Sequence, residues 1–141
     1  MEKEIKKEEQ DRKKHENNAD IAVGIGASAG GLDAIKKLFE NLPQNTEVTF
    51  IVIQHLDPNQ ESMLPEILTR YTKIPIERIR DGLQIQPNHI YTVPAGKTIT
   101  LTKNTLKVQA KATARKPIDT FLTSLAQEKK THAIGIFEFI R

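Results

Sequence analysis

Two short apolar runs, each followed by a stretch with helical periodicity, constrain the fold of this chain more than any other feature. The first run, residues 21–26 (IAVGIG), ends in glycine, and the second, residues 48–54 (VTFIVIQ), is rich in β-branched residues. Both are typical of strands that are buried on both faces of a parallel sheet. Apolar residues recur at helical spacing over residues 32–42 and again over residues 63–71. This strand–helix–strand–helix order predicts a parallel sheet with right-handed crossovers.

The second half of the chain carries shorter, alternating stretches. Within residues 82–108, the segments HIYTV, TITLT and TLKVQ are separated by turn residues such as Lys103-Asn104. The pattern is typical of antiparallel hairpins, which we expect to form an added edge of the sheet. Pro117 suits the first turn of a third helix, and residues 132–137 (HAIGIF) indicate a further buried strand. The predicted fold class is α/β, with a doubly wound, mainly parallel sheet and a hairpin edge.

Composition and charge limit the organisation and the partners of the chain. Its 141 residues are enough for one domain with a hydrophobic core. Residues 1–19 are mostly charged or polar, so we expect a solvated arm, partly helical or disordered, before a domain at residues 20–141. A formal net charge of only +3 and the absence of tryptophan argue against a nucleic-acid partner.

Metal, cofactor and membrane binding are not expected either. The chain has no cysteine, and its histidines and acids show no spacing typical of metal ligands. No apolar stretch is long enough to span a bilayer, and the charged N-terminus does not resemble a secretory signal. The sequence therefore predicts no metal, no cofactor, no membrane insertion and a cytoplasmic location.

Residues 24–31 read GIGASAGG, and two chemistries fit these letters. Taken from Gly24, the pattern is GxGxxA, a turn that cradles the phosphates of a dinucleotide. Taken from Gly26, it is GxSxG, a tight turn that presents Ser28 as a nucleophile. In the second interpretation, Gly26 and Gly30 let the turn form without Cβ clashes, and the start of the following helix offers N–H groups to a developing oxyanion.

The end of the second strand favours the nucleophile. A dinucleotide site needs an acid there for the ribose, but the strand ends in Gln54-His55, and Asp57 lies beyond the expected strand end. A serine nucleophile needs a base within reach, and His55 follows the second strand as Ser28 follows the first. Parallel strands bring their carboxyl ends to one edge, so we expect Ser28 and His55 to lie close together.

Simpler interpretations stand beside this one. Ser28 is also a common type of helix cap, and a lone His55 is most often an ordinary loop residue. His89, in the segment QPNHIY, is better explained by hydrogen bonding beside a turn than by catalysis. At the level of function, the alternatives to an esterase are a nucleotide-binding α/β module and an inactive interaction domain.

Four longer segments carry a family resemblance. The stretches VGIGASAGGLDAIKKLFENLP, FIVIQHLDPNQESMLPEIL, DGLQIQPNHIYTVPAG and KPIDTFLTSLAQEKKTHAIGI together resemble the catalytic domain of the chemotaxis protein-glutamate methylesterases, the CheB family. The resemblance implies a doubly wound α/β domain with a Ser–His–Asp triad, in which Ser28 matches the nucleophile and His55 the base. It further implies hydrolysis of glutamate methyl esters on chemoreceptors, with release of methanol, and in some members deamidation of receptor glutamines.

The chain departs from the family pattern in three places. Ala29 replaces the threonine that many chemotaxis members have after the nucleophile, as in related proteins in which the esterase is fused to a methyltransferase and sensory domains. The arm stands where the classic members have a phospho-receiver domain. The partners that the resemblance suggests are therefore a methylated chemoreceptor or sensory protein, and a methyltransferase.

The third departure concerns the acid of the triad. In the family, the strand matching AIGI leads into a glycine-rich loop that contains the aspartate, but residues 137–141 (FEFIR) do not match that loop. Glu138 is the only acid nearby, and no motif supports it as a substitute. We therefore expect a domain that is incomplete at its C-terminus, in which the acid is missing and the esterase is weak or inactive.

Overall fold

A five-stranded, entirely parallel sheet forms the centre of the protein, with strands in the spatial order Ile76–Arg78, His89–Thr92, Thr49–Gln54, Ala22–Ala27 and Ala133–Glu138. The computed structural model describes residues 1–9, 21–55, 59, 62–109 and 116–138. The strands of the parallel sheet are β1 (Ala22–Ala27), β2 (Thr49–Gln54), β3 (Ile76–Arg78), β5 (His89–Thr92) and β8 (Ala133–Glu138). A second sheet of three antiparallel strands consists of β4 (Leu83–Gln84), β7 (Thr105–Gln109) and β6 (Thr98–Thr102).

The helices cover the parallel sheet on both faces. Besides an exposed helical segment at the N-terminus, α1 (residues 2–9), they are α2 (Leu32–Asn41), α3 (Leu64–Leu68) and α4 (Pro117–Lys129), with 3-10 turns at Ala29–Gly31 and Lys130–His132. Among the helices in the described ranges, none is long and apolar enough to cross a membrane. The predicted boundary between arm and domain, at residues 19 and 20, lies outside the described residues and stays a prediction.

Two hydrophobic clusters fill the space on either side of the sheet. On one face, Val23 and Ile25 of β1 pack with the buried side chains of α2 and α3, among them Ile35 and Phe39. On the other face, Ile51 and its neighbours pack with buried residues of α4 and of the second sheet. Because successive residues of β1 and β2 alternate between two covered faces, β1 and the middle of β2 are apolar, as predicted from their runs.

The antiparallel hairpin is present, but it does not extend the edge of the parallel sheet as expected. Lys103 and Asn104 both have positive φ, 48° and 63°, which is the geometry of a two-residue hairpin turn between β6 and β7. The apolar residues Ile99, Leu101 and Leu106 lie on the buried face of this hairpin. That face packs with α4 and with the parallel sheet in one hydrophobic cluster, which removes its apolar side chains from water, and the hairpin forms a separate layer.

The edge expected for the hairpin is taken by β3, a strand that the sequence analysis did not identify. The HIYTV segment, expected in a hairpin, forms β5 and pairs in parallel with β2 on one side and β3 on the other. Its residues Ile90, Tyr91 and Thr92 are all buried, because both faces of this strand are covered. The strand β3 has only three residues, too few to show a period of two in the sequence.

Two further predictions of burial were wrong. The last strand is at the right place, but Ile134 and Ile136 are 47% and 38% exposed, because β8 is the edge of the sheet. The second helical stripe is shorter than expected: only Leu64–Leu68 is helical, and Met63 is 54% exposed.

The close packing of α4 on β1 depends on glycines in the strand. A Cβ atom built on Gly24 would lie 2.8 Å from Leu122 Cδ2, and one on Gly26 would lie 2.7 Å from Ile118 Cγ2. Gly26 therefore lies within β1 and makes room for a helix, and the prediction that it belongs to the tight turn was wrong.

Gly26→Ala is therefore expected to destabilise the fold by about 1–3 kcal/mol, because the added methyl group forces Ile118 or α4 to move. Gly135→Ala is the matched control: this glycine is also in a strand, and its added Cβ would meet only Leu122, at 4.0 Å. Both substitutions lower the entropy of the unfolded chain equally. Urea unfolding of the two variants measures the difference, and equal stabilities would contradict this role of Gly26.

Candidate active site

Ser28 and His55 directly follow the carboxyl ends of β1 and β2, and these two strands end at the same level of the sheet. In the parallel pairing of β1 with β2, Ala27 is opposite Gln54, and Ser28 and His55 are the next residues of the two chains. The N–H of His55 donates a hydrogen bond of 2.8 Å to the carbonyl of Ala27, which extends the pairing to this point. The juxtaposition expected from the strand ends is thus present in the backbone.

Ser28 stands where β1 turns into a helix. Its backbone is extended (φ −70°, ψ 166°), and it occupies the N-cap position of the Ala29–Gly31 turn, which continues into α2. Its carbonyl accepts a hydrogen bond of 2.9 Å from the N–H of Gly31, but its side chain makes no capping hydrogen bond. Ser28 is thus a cap by position only, and its hydroxyl is available for another contact.

That contact is made with Glu138, for which no sequence motif predicts a role. The Ser28 Oγ lies 3.5 Å from Glu138 Oε2, at the upper limit of a hydrogen bond in which the hydroxyl donates. The pairing of β1 with β8 places Glu138 opposite Ala27, one residue before the serine. Three parallel strands therefore deliver a serine, a histidine and a glutamate to one edge, a signal that follows from strand order and register and that no linear motif contains.

The turn after Ser28 is shaped to admit the carboxylate. Any Cβ on Gly31 would collide with Glu138 Oε2, and it would lie 3.1 Å from the Cβ of Ala27. Gln54 Nε2 donates a hydrogen bond of 3.3 Å to the carbonyl of Ala29, which ties the turn to the end of β2. Glycine at position 31 is thus explained by the close approach of the Glu138 carboxylate. Its backbone conformation does not require glycine, because its φ is not in the left-handed region.

His55 is exposed, and within the described part of the chain its ring has fewer contacts than the side chain of Ser28. Among residues 21–55, 62–109 and 116–138, no carboxylate forms a hydrogen bond with the imidazole of His55. Asp57, the acid that follows the second strand, lies outside the described residues. The described part of the site thus contains a serine and a histidine at one edge, with a carboxylate on the serine side.

His89 has a local structural role. Its Nδ1 lies 2.9 Å from the carbonyl of Pro87, and its ring stacks on Tyr91 with centroids 5.9 Å apart. Burial raises the pKa of the Tyr91 hydroxyl, whose oxygen accepts a hydrogen bond of 2.8 Å from the N–H of Gln86. This arrangement matches the hydrogen bonding beside a turn that the sequence analysis favoured for His89.

An ion pair between Arg78 and Glu66 connects β3 to α3, the helix that follows His55 in the chain. Arg78 Nη2 donates to Glu66 Oε1 at 2.5 Å and to the carbonyl of Ser62 at 3.0 Å. The hydrogen bond from Arg78 holds the pKa of Glu66 below its usual value. Both side chains are about half exposed, so the pair fixes the geometry of α3 against β3 more than it stabilises the fold.

The dinucleotide interpretation is not favoured by the packing. In such a turn the second glycine leaves the backbone open to a pyrophosphate. Here Gly24 and Gly26 lie inside β1, and Leu122, Leu125 and Ile118 of α4 fill the space above them. The positions of Gly24 and Gly26 are thus explained by helix packing.

The described structure is an α/β domain with a parallel sheet, in which Ser28 lies at a strand-to-helix turn and His55 follows the adjacent strand. The chain belongs to the CheB methylesterase family, whose family model matches residues 23–137. The crystal structure of the Thermotoga maritima CheB methylesterase catalytic domain has the same fold, with a TM-score of 0.71 at 22% identity over 83% of this chain and 66% of that chain.

The chain is also similar to curated proteins that are named as methylesterases. The chain is 27% identical over 140 residues to the protein-glutamate methylesterase/protein-glutamine glutaminase of Treponema denticola, a match that covers 94% of this chain and 38% of that protein. A protein of that name from Myxococcus xanthus is 25% identical over 123 residues, with 82% and 36% covered. The chain thus spans well under half the length of these relatives.

The contact between Glu138 and Gly31 is open to a double-mutant cycle. Gly31→Ala is expected to cost about 1–3 kcal/mol, because its methyl group displaces the carboxylate. In a Glu138→Ala background that cost falls by at least about 1 kcal/mol, since the obstacle is gone. Urea unfolding of the four proteins gives the coupling energy, and costs that add within about 0.5 kcal/mol would show that the two residues do not touch.

Proposed function

We propose that this chain carries the catalytic serine and histidine of a protein-glutamate methylesterase. The single observation that carries the proposal is the register of β1 with β2, which sets Ser28 and His55 at the carboxyl ends of adjacent parallel strands. Membership of the CheB methylesterase family supports the reaction class. The substrate proposed is a glutamate methyl ester on a chemoreceptor or related sensory protein.

The proposed chemistry begins with attack of the Ser28 hydroxyl oxygen on the ester carbonyl. His55 accepts the hydroxyl proton, which makes the oxygen nucleophilic, and then gives that proton to the departing methoxide, which leaves as methanol. Water, deprotonated by the same imidazole, then attacks the glutamyl–serine ester; the imidazolium returns that proton to the Ser28 oxygen as the bond breaks and the glutamate carboxylate is released. The first backbone N–H groups of the turn, those of Ala29 and Gly30, have no partner of their own within a helix and are the donors proposed for the oxyanion.

A third group should orient His55, and its absence from the described contacts bears on the rate. In triads of this type the acid holds the imidazole in the useful tautomer, and its loss costs roughly four orders of magnitude. We therefore propose that the esterase is slow when no acid contacts His55. A methyltransferase partner and a cytoplasmic location, both expected from the sequence, remain part of this proposal.

Three variants test the roles of the two residues. We expect Ser28→Ala to abolish methanol release from a methylated receptor, and His55→Ala to lower it about 100-fold, because the general base is lost. His89→Ala is the matched control: it also removes a histidine, but one that bonds only to its own turn, so the rate should stay within about twofold. Methanol is measured by gas chromatography over long incubation, and ammonia release from receptor glutamines is followed in parallel.

Other outcomes, in these assays or in binding experiments, would assign a different function to the domain. Equal methanol release from the parent chain and Ser28→Ala would contradict the serine mechanism. Micromolar binding of a fluorescent nucleotide that is lost in Gly26→Val would favour the nucleotide-binding module. Tight binding to the receptor without turnover, unchanged by Ser28→Ala, would favour an interaction domain.

The role of the acid is tested by extension. We compare this chain with a version extended by the segment that follows the matched region in the catalytic domain of a CheB relative. The extended version should release methanol up to about 10,000-fold faster, because an acid then orients His55. Equal rates for the two proteins, both abolished by Ser28→Ala, would show that an acid already present completes the site.

A further inference from the structure

Glu138 lies in a position that the proposed reaction needs for its substrate. Its Oε2 is 3.5 Å from Ser28 Oγ and fills the space above Gly31, where no side chain atom is tolerated. The carboxylate is held there by the backbone, because β8 pairs with β1 over six residue pairs that end at Ala27 and Glu138. Both the site and the group that occupies it are therefore built by the same sheet.

This position conflicts with attack by the serine in two ways. A reacting carbonyl carbon must come within about 3–3.5 Å of the nucleophilic oxygen, and the carboxylate already occupies a point at that distance. In addition, a carboxylate beside the serine disfavours the negative charge that develops on the nucleophile and on the oxyanion. Neither effect arises for an acid that contacts the far side of the histidine.

We propose that Glu138 is a built-in occupant of the active site that suppresses the reactivity of Ser28. This proposal rests on the proposed function. The product of the esterase is a glutamate side-chain carboxylate, and Glu138 presents that same group to Ser28. A substrate ester has to displace it before acylation. Removing Glu138 should therefore raise the reactivity of position 28, whereas a Glu138 that served as the base for Ser28 would give the opposite result.

The absence of cysteine allows a test that does not depend on esterase activity. Because the chain has no other thiol, the Ser28→Cys variant reports on position 28 alone. Its rate of reaction with Ellman's reagent follows the thiolate fraction, which a neighbouring carboxylate lowers, and a change of one pKa unit in the thiol is a tenfold change in that fraction. At pH 7.5 we expect Glu138→Gln in this background to react about tenfold faster, and Glu138→Ala, which also removes the bulk, to react faster still.

Controls separate this contact from general effects of charge or folding. Glu40→Gln removes a carboxylate from the far end of α2 and should change the rate by less than about twofold. In 8 M urea the rates of all variants should become equal, because the contact exists only in the folded chain. Rates for Glu138→Gln and Glu138→Ala within twofold of the parent, slower than the parent, or still different in urea would each overturn the proposal. Because thiol reactivity needs no ester hydrolysis, a failure of the proposed esterase function would leave this result intact.

Discussion

The parallel hydrogen-bonded pairing of β1 with two neighbours is the constraint on which the rest of the structure depends. With β2 on one side and β8 on the other, β1 ends level with both, so that Ala27 is opposite Gln54 and Glu138. A slip of one residue in either pairing would turn the following side chain to the opposite face of the sheet. The meeting of a serine, a histidine and a glutamate is therefore a property of register, and the burial of both faces of β1 is what holds that register.

The glycines around the serine have separate physical tasks. Gly24 and Gly26 allow α4 to approach the strand closely, and Gly31 leaves room for a carboxylate above the turn. The sequence pattern alone could not distinguish these tasks, because a glycine that admits a helix, a phosphate or a carboxylate is written with the same letter. The distinction requires knowing which element covers each Cα, which is a property of the tertiary structure.

Local periodicity was enough to predict β1, α2, β2 and α4, because each has a long apolar face and a clear end, such as Pro117 at the start of α4. It failed where the deciding interaction is not local. The three-residue β3 is stabilised by its neighbour β5, and the exposure of Ile134 follows from the place of β8 at the edge of the sheet. The adjacent positions of Ser28 and His55 could be inferred from the strand ends, but the position of Glu138 depends on which strand lies beside β1, which no pattern within β8 encodes.

The position of an acid at such a site decides the sign of its effect. An acid that holds the far nitrogen of the histidine stabilises the imidazolium, and losing it costs roughly four orders of magnitude, or about 5 kcal/mol at the transition state. A carboxylate beside the attacking oxygen instead meets a charge of its own sign. Two unit charges 4 Å apart near a protein surface repel by on the order of 4 kcal/mol before salt screening. The two effects are similar in size. A glutamate that contacts the histidine would assist catalysis, whereas a glutamate that contacts the serine instead would oppose it.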